Sequence, residues 1–299
     1  MQRIIDAHVH WREPDANPYG SLSDGVDADG HRGGRRPDRF LPADYDAAAH
    51  GFDIRGFVHV EAEWSRADPV GETRWLEALA DGSALSERPL AIVGYADLSD
   101  PEVDAVLAAH AAHPRVRGVR HILNRVEGRP DLCWADRDHL ADPVWQRNFA
   151  RLADHGLAFD LMAFAHQLPA IAELAARNPG VPVHLEHAAL PHDHTAAGRA
   201  AWRSGMRALA ARPNASVKIS GLGNTVPDWT ADSIRAYVRD TIEIFGTDRV
   251  AFASNFPTDA AFSDMGAIWN AFLGITADAT AEERDAMFHD NALRLYRPA

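Results

Sequence analysis

The chain has 299 residues, 46% hydrophobic and 24% charged, which is globular composition with room for one barrel-sized domain or two small ones. A formal net charge of −13 argues against nucleic acid or an anionic membrane as partner, which leaves a small-molecule substrate, with homo-oligomerisation open. The single cysteine, Cys133, excludes an intrachain disulfide, and no apolar run approaches the roughly 18 residues of a membrane span, so the expected location is the cytoplasm.

The first predicted element is a strand rather than a signal peptide, and it carries the most telling motif, Ile4-Ile5-Asp6-Ala7-His8-Val9-His10. Strand side chains alternate with a period of two, so His8 and His10 share a face at the strand's C-terminal tip. Two neutral imidazoles so placed suit a divalent metal such as zinc, or a paired acid–base role. A long polar stretch follows, from Trp11 to Phe40, including Asn17-Pro18-Tyr19-Gly20 and the run from Asp24 to Arg39. Such length inside a compact domain predicts a lid, a binding loop or disorder. Its Arg32, Arg35, Arg36 and Arg39 read mainly as solvated charges, with contact to an anionic ligand as the alternative.

From there the chain alternates. Strands are predicted over Gly56–Val60, Leu90–Tyr95, Val116–Ile122, Ala158–Leu161, Val181–His187, Ser216–Ser220 and Val250–Ala253. Helical spacing separates them, for example at Leu76-Leu79-Ala80, Ile171-Leu174-Ala175 and Ile234-Val238-Ile242, and a last helical segment runs from Phe262 to Tyr296. With the N-terminal strand this gives eight strand–helix units and no linker, which predicts a single α/β domain over residues 1–299, a (β/α)8 TIM barrel with a long loop after strand 1.

In such barrels the chemistry gathers at the C-terminal strand ends. The polar residues predicted there are His8 and His10, Glu61 and Glu63, Arg120 and His121, His166 and Gln167, Glu186 and His187, Lys218 and Ser220, and Ser254 and Asn255. Alternation sends Arg120 and His121 to opposite faces. Arg125 reads as a surface residue or a second clamp, Lys218 as a pocket contact or a snorkelling side chain, and Glu61 as a loop or pocket carboxylate. Tyr19, Trp64 and Phe256 are candidate cavity walls. His50, His113, His139, His192 and His194 read as helix or loop surface.

Four of these segments, in order, carry a resemblance: Asp6-Ala7-His8-Val9-His10, Gly118-Val119-Arg120-His121, Glu186-His187 and Ser254-Asn255-Phe256-Pro257. The chain resembles the amidohydrolase superfamily, in the amidohydrolase-2 branch of metal-dependent TIM-barrel hydrolases that includes pyrone-dicarboxylate and sugar lactonases. The resemblance implies that His8, His10 and His187 form the polar centre, and that a metal there, zinc being the expectation, is held by these three. It also implies a substrate-binding role for Arg120, because related lactonases hold a substrate carboxylate with an arginine at this position. The chain departs from the pattern at Asn255, where the superfamily usually has an aspartate as ligand and base; an amide does not take up a proton at neutral pH. Strand 4 offers Arg120 and His121 instead of a carboxylated lysine, which argues against a binuclear centre.

The expected reaction is opening of a small lactone, carboxylated or polyhydroxylated, with His8, His10, His187 and Asn255 as catalytic residues. Arg120, His121, Arg125, Glu61, Lys218, Gln167 and Tyr19 are the expected substrate contacts. A centre without metal would leave carbonyl polarisation and water activation to the histidines, with His187 as base. The alternatives are non-oxidative decarboxylation of a small unsaturated or aromatic acid, and a binding barrel that has lost catalysis.

Overall fold

The computed structural model describes residues 1–19, 37–82, 87–226 and 228–299. Eight parallel strands pair in sequence order: β1 (Arg3–Val9), β2 (Asp53–Val60), β3 (Leu90–Tyr95), β4 (Val116–Ile122), β5 (Ala158–Met162), β6 (Val183–Leu185), β7 (Ala215–Ile219) and β8 (Val250–Phe252). Between them run α1 (Pro42–Ala48), α2 (Gly71–Gly82), α3 (Val103–Ala111), α4 (Pro143–Arg151), α5 (Leu168–Arg177), α6 (Ala196–Ala210) and α7 (Ala231–Phe245). This is the predicted (β/α)8 TIM barrel. No helix of the described residues is long and apolar enough to cross a membrane.

The helices begin where local chemistry lets them. Asp142, Thr195, Thr230 and Asp264 each accept a hydrogen bond from a first-turn amide that has no partner within its own helix. Pro42 and Pro143 open α1 and α4 at a position where a missing N–H costs nothing. Each strand then alternates. Val119, Phe159, Leu161, Val183, Val217 and Phe252 face the helices, in one continuous buried cluster with residues such as Trp145, Phe149 and Phe272.

The last helical segment is not one helix. It divides into α8 (Met265–Ile275), α9 (Ala281–Asp285), a π-turn (Ala286–Asp290) and α10 (Asn291–Tyr296). Its end fills the floor of the barrel: Ala292 packs with Ile5, Ala7, Ala251 and Ala253, and Tyr296 with Val58, Val60, Ala91 and Val93. Ala299 exchanges both backbone hydrogen bonds with Leu90 at the start of β3. At the opposite end, the seam between β8 and β1 is joined by bonds from Asn255 N to His8 O (3.0 Å) and from His10 N to Phe256 O (2.8 Å). That seam places Asn255 beside the His-x-His motif.

Candidate active site

Simple alternation would turn the two N-terminal histidines away from the barrel. Ile5 and Ala7 face inward, so Val9 should follow them and His8 and His10 should face the helices. A bulge reverses this. Asp6 pairs with Phe57 and Val9 with His59, so three steps on β1 match two on β2. Val9 then joins the helix-facing cluster, and His8 and His10 enter the barrel. The Asp6 carboxylate holds the bulge, accepting the amides of His8 (3.3 Å) and Ser254 (2.9 Å) and the Tyr45 hydroxyl (2.7 Å). Burial outweighs these bonds and pushes the Asp6 carboxyl up to about 6.

His8 Nε2 lies 3.0 Å from His10 Nε2. His10 Nδ1 lies 2.7 Å from the Val60 carbonyl, which can only accept, so the His10 proton is on Nδ1 and its Nε2 lone pair faces His8. The other side of His8 meets Lys218 Nζ, 3.2 Å from Nδ1, and Glu186 Oε1, 3.4 Å from the same atom. Both imidazoles are driven well below their usual pKa by burial, reinforced by Lys218 for His8 and by Arg120 for His10, and both are neutral.

The expected strand from Val181 to His187 is shorter in the structure, and β6 ends at Leu185. The reason is a left-handed turn: His187, Ala188, Ala189 and Leu190 have φ of 53°, 49°, 58° and 44°. Each such residue costs on the order of 1–2 kcal/mol, so the surroundings must hold the turn. Trp202 of α6 donates its indole N–H to Ala188 O (2.8 Å), and Ala188, Ala189 and Leu190 are fully buried. The turn brings His187 against His8, ring centres 4.7 Å apart, with His187 Nδ1 2.8 Å from Ser220 Oγ and Nε2 turned inward. Gly221 is required beside it: its φ is +61°, and a Cβ there would come within 2.6 Å of the His187 ring.

Arg120 points into the barrel and is bound there by the protein itself. Nε and Nη2 donate to Glu61 Oε1 (2.9 and 2.7 Å), Nη2 also to Glu61 O (2.8 Å), and Nη1 lies 3.6 Å from Glu186 Oε2. Burial would raise the Glu61 carboxyl, but Arg120 and then Arg66 hold it down to about 2. Glu61 and Glu63 divide two openings. One is lined by His10, Arg12, Arg120, Pro257 and Thr258, the other by Arg66, Tyr95, His121, Trp134, Asp136 and His139.

The predicted residues thus separate into groups. The structure brings together His8, His10, His187, Arg120, Glu61 and Lys218. His121 faces the second opening, accepts the Trp145 indole N–H (3.0 Å) and packs at a tilt against His139. Asn255 lies at the barrel seam with φ of 56° and donates its amide N–H to Asp259 Oδ1 (2.8 Å). Tyr19 packs edge-on to Trp64 beneath the Arg12 guanidinium.

Two expected substrate contacts bond to the backbone. Gln167 closes a turn, accepting Phe164 N and donating to Leu123 O. Arg125 reaches the carbonyls of Ala135 and Asp136, at the edge of the second opening. Arg39 pairs with Asp44 and Glu13, while Arg32, Arg35 and Arg36 lie outside the described residues. His139, expected at the surface, is buried because His121 and Ser99 cover it.

Sequence reasoning passed over Arg12, Arg66, Asp160 and Tyr296, and did not count Glu186 as a ligand. A signal existed for Asp160, a lone charge inside the apolar strand Ala158–Met162.

The donor set fits a divalent metal. Atoms of His8, Glu186 and His187 lie within 4.8 Å of one another and all three residues are buried. His10 Nε2 lies beside this group, 3.0 Å from His8 Nε2, its ring oriented by a carbonyl at Nδ1 as metal-binding histidines commonly are. Zinc–nitrogen bonds of about 2.0–2.1 Å in a tetrahedron place two nitrogens roughly 3.3 Å apart, close to the observed spacing of His8 and His10.

Three comparisons bear on identity. The protein y4mH of Sinorhizobium fredii is 38% identical over 295 residues, 98% of each chain. An L-fucono-1,5-lactonase of Burkholderia ambifaria is 33% identical over 233 residues, 76% of each chain. A solved amidohydrolase of Burkholderia multivorans with bound zinc shares the fold at a TM-score of 0.79, with 24% identity over 99% of each chain. The amidohydrolase family profile (Amidohydro_2) matches residues 5–297, and the chain belongs to that family.

Proposed function

We propose that this protein hydrolyses a small polyhydroxylated lactone at the His8–His10–His187 centre. The observation that carries the substrate class is the state of Arg120: its guanidinium is bonded on two edges to Glu61 and faces Glu186 on the third. A carboxylated lactone would have to displace Glu61 from a buried ion pair, and breaking such a pair costs about 3–5 kcal/mol. Hydroxyl groups need no displacement, because the carboxylates of Glu61 and Glu63 line both openings as acceptors. The likeness to L-fucono-1,5-lactonase supports the same substrate class.

The chain's own groups supply the steps. His187, with Nδ1 on Ser220, presents Nε2 as the base that takes a proton from the attacking water. Asn255, with its amide nitrogen tied to Asp259, has a carbonyl oxygen to orient that water but no basic lone pair. Water oxygen bonds to the carbonyl carbon, the ring C–O bond breaks, and the proton on His187 passes to the departing alkoxide. A metal held by His8, His10 and His187 would take the His187 Nε2 lone pair and replace the histidine base: it would polarise the carbonyl and lower the pKa of bound water toward about 7. The product hydroxy acid ionises, so the reaction releases acid.

The test is acid release from purified protein offered aldonolactones, simple butyrolactones and unsaturated carboxylated lactones, with and without a chelator. Turnover of aldonolactones, abolished in His187→Gln, is expected. Turnover confined to carboxylated lactones overturns the substrate class, and silence across the panel overturns the reaction.

A further inference from the structure

The inner wall of the barrel holds a column of hydrogen bonds that the proposed reaction does not use. Tyr296, at the end of α10, donates its hydroxyl to Asp160 Oδ2 (2.8 Å). Lys218 Nζ donates to the same oxygen (2.5 Å) and lies 3.2 Å from His8 Nδ1 and 3.5 Å from Glu186 Oε1. All of these side chains are essentially without solvent contact. An ammonium has three protons to donate and no acceptor. Its polar neighbours within 3.5 Å are Asp160, Glu186 and His8.

This arrangement fixes the protons above it. Lys218 can only donate to His8 Nδ1, so Nδ1 carries the lone pair. A neutral His8 then has its proton on Nε2, which faces the His10 Nε2 lone pair at 3.0 Å. The His10 proton, on Nδ1, goes to Val60 O. One direction of donation runs unbroken from Lys218 through both rings to the backbone, and every nitrogen in it is satisfied.

A metal shared by the two Nε2 atoms needs the other tautomer of His8. Its proton must sit on Nδ1, where Glu186 Oε1 at 3.4 Å can accept it, and Lys218 must stop donating there. We propose that Lys218, aligned by Asp160 and Tyr296, sets the tautomer of His8 and competes with a divalent metal for that ring. Lys218 is a positioning residue in this scheme, and Asp160 and Tyr296 act through it. The inference rests on reading His8 and His10 as metal donors and not on the lactone.

Two measurements test it without any substrate. Long-range proton–nitrogen NMR correlations of metal-free, 15N-histidine-labelled wild-type protein should show His8 with an unprotonated Nδ1 and a protonated Nε2. A protonated Nδ1 overturns the proposal. Zinc affinity, read by competition with a chromophoric chelator, should rise about tenfold or more in Lys218→Met, the scale on which neighbours of ligands act. Unchanged or weaker zinc binding overturns it. Tyr296→Phe, which removes only a hydroxyl, should move affinity the same way by a smaller factor, and keeps the affinity arm decisive if Lys218→Met does not fold. A silent lactone panel with the expected NMR and zinc results would defeat the substrate reading and leave this one standing.

Discussion

On one side of the barrel, from β8 through β3, the inward positions are Ile5, Ala7, Val58, Val60, Ala91, Val93, Ala251 and Ala253. On the other, from β4 through β7, they are Arg120, Asp160, His184, Ser216 and Lys218. The apolar side closes by contact area against Ala292 and Tyr296, and its contribution scales with what it buries. The polar side holds only while its charges and lone pairs meet: Arg120 with Glu61, Lys218 with Asp160, His184 Nδ1 with Ser216 Oγ at 2.7 Å. His8, His10 and His187 stand where the halves meet. His8 and His10 come from the apolar side by way of the bulge, and His187 from the polar side by way of the left-handed turn. The difference teaches that one wall is held by packing area and the other by the pairing of its charges.

Breaking one member of each wall should expose that division most clearly. Asp160→Ala strips Lys218 of its nearest carboxylate and should destabilise the fold by about 3–5 kcal/mol, whereas Val93→Ala, a deletion of two buried carbons, should cost only about 2 kcal/mol. Urea unfolding of both variants reads the contrast. Equal losses would mean that the polar wall is no more dependent on its pairings than the apolar wall is on its packing.

Acid sharpens the comparison next. Burial holds His184 down to about 4 and His121 down to about 3, so both stay neutral in the fold while the unfolded chain protonates near 6.5. A depressed folded pKa contributes stability that is present above 6.5 and is lost as pH falls toward the folded value. Each such histidine should then remove about 1.4 kcal/mol per pH unit between 6.5 and 4. His184→Gln should flatten the pH dependence of urea unfolding by about that slope. An unchanged slope between pH 6.5 and 5 would show that His184 already takes up a proton in the fold.

The smallest expected effect concerns the turn that delivers His187. Ala189→Gly removes the steric penalty of a φ of 58° but also a buried methyl worth about 0.8 kcal/mol, for a net gain near 0.5 kcal/mol. A thermal midpoint raised by a degree or two is the outcome to look for; a fall would show that packing rather than strain governs Ala189.

Much of this architecture was legible in the chain. Strand and helix periods alternate without interruption, and the boundaries of β3 and β4 are those the β-branched runs predict. A lone charge inside each of the apolar strands β5 and β7 marks an inward polar face, and the order His-x-His, Glu-His, Ser-Asn-Phe-Pro resembles one family. What the amino-acid order determined is what local periodicity and composition govern: the strands, the helices, the barrel, and the strand ends where chemistry gathers.

Tertiary structure decided the rest. The bulge between Asp6 and Val9 depends on pairing with β2 and on a carboxylate reaching β8, so two-residue spacing alone gives a shared face without saying which face. The turn at His187 runs against the backbone preference of its own alanines and survives through Trp202 and Gly221, neither of them near it in sequence. Tyr296 meets Asp160 across 136 positions of chain. Arg120, Lys218 and Gln167 look alike in sequence as polar strand-end residues. Only the partners assembled by closure of the barrel make the first the bound partner of Glu61, the second a support for His8 and the third a clasp for a turn.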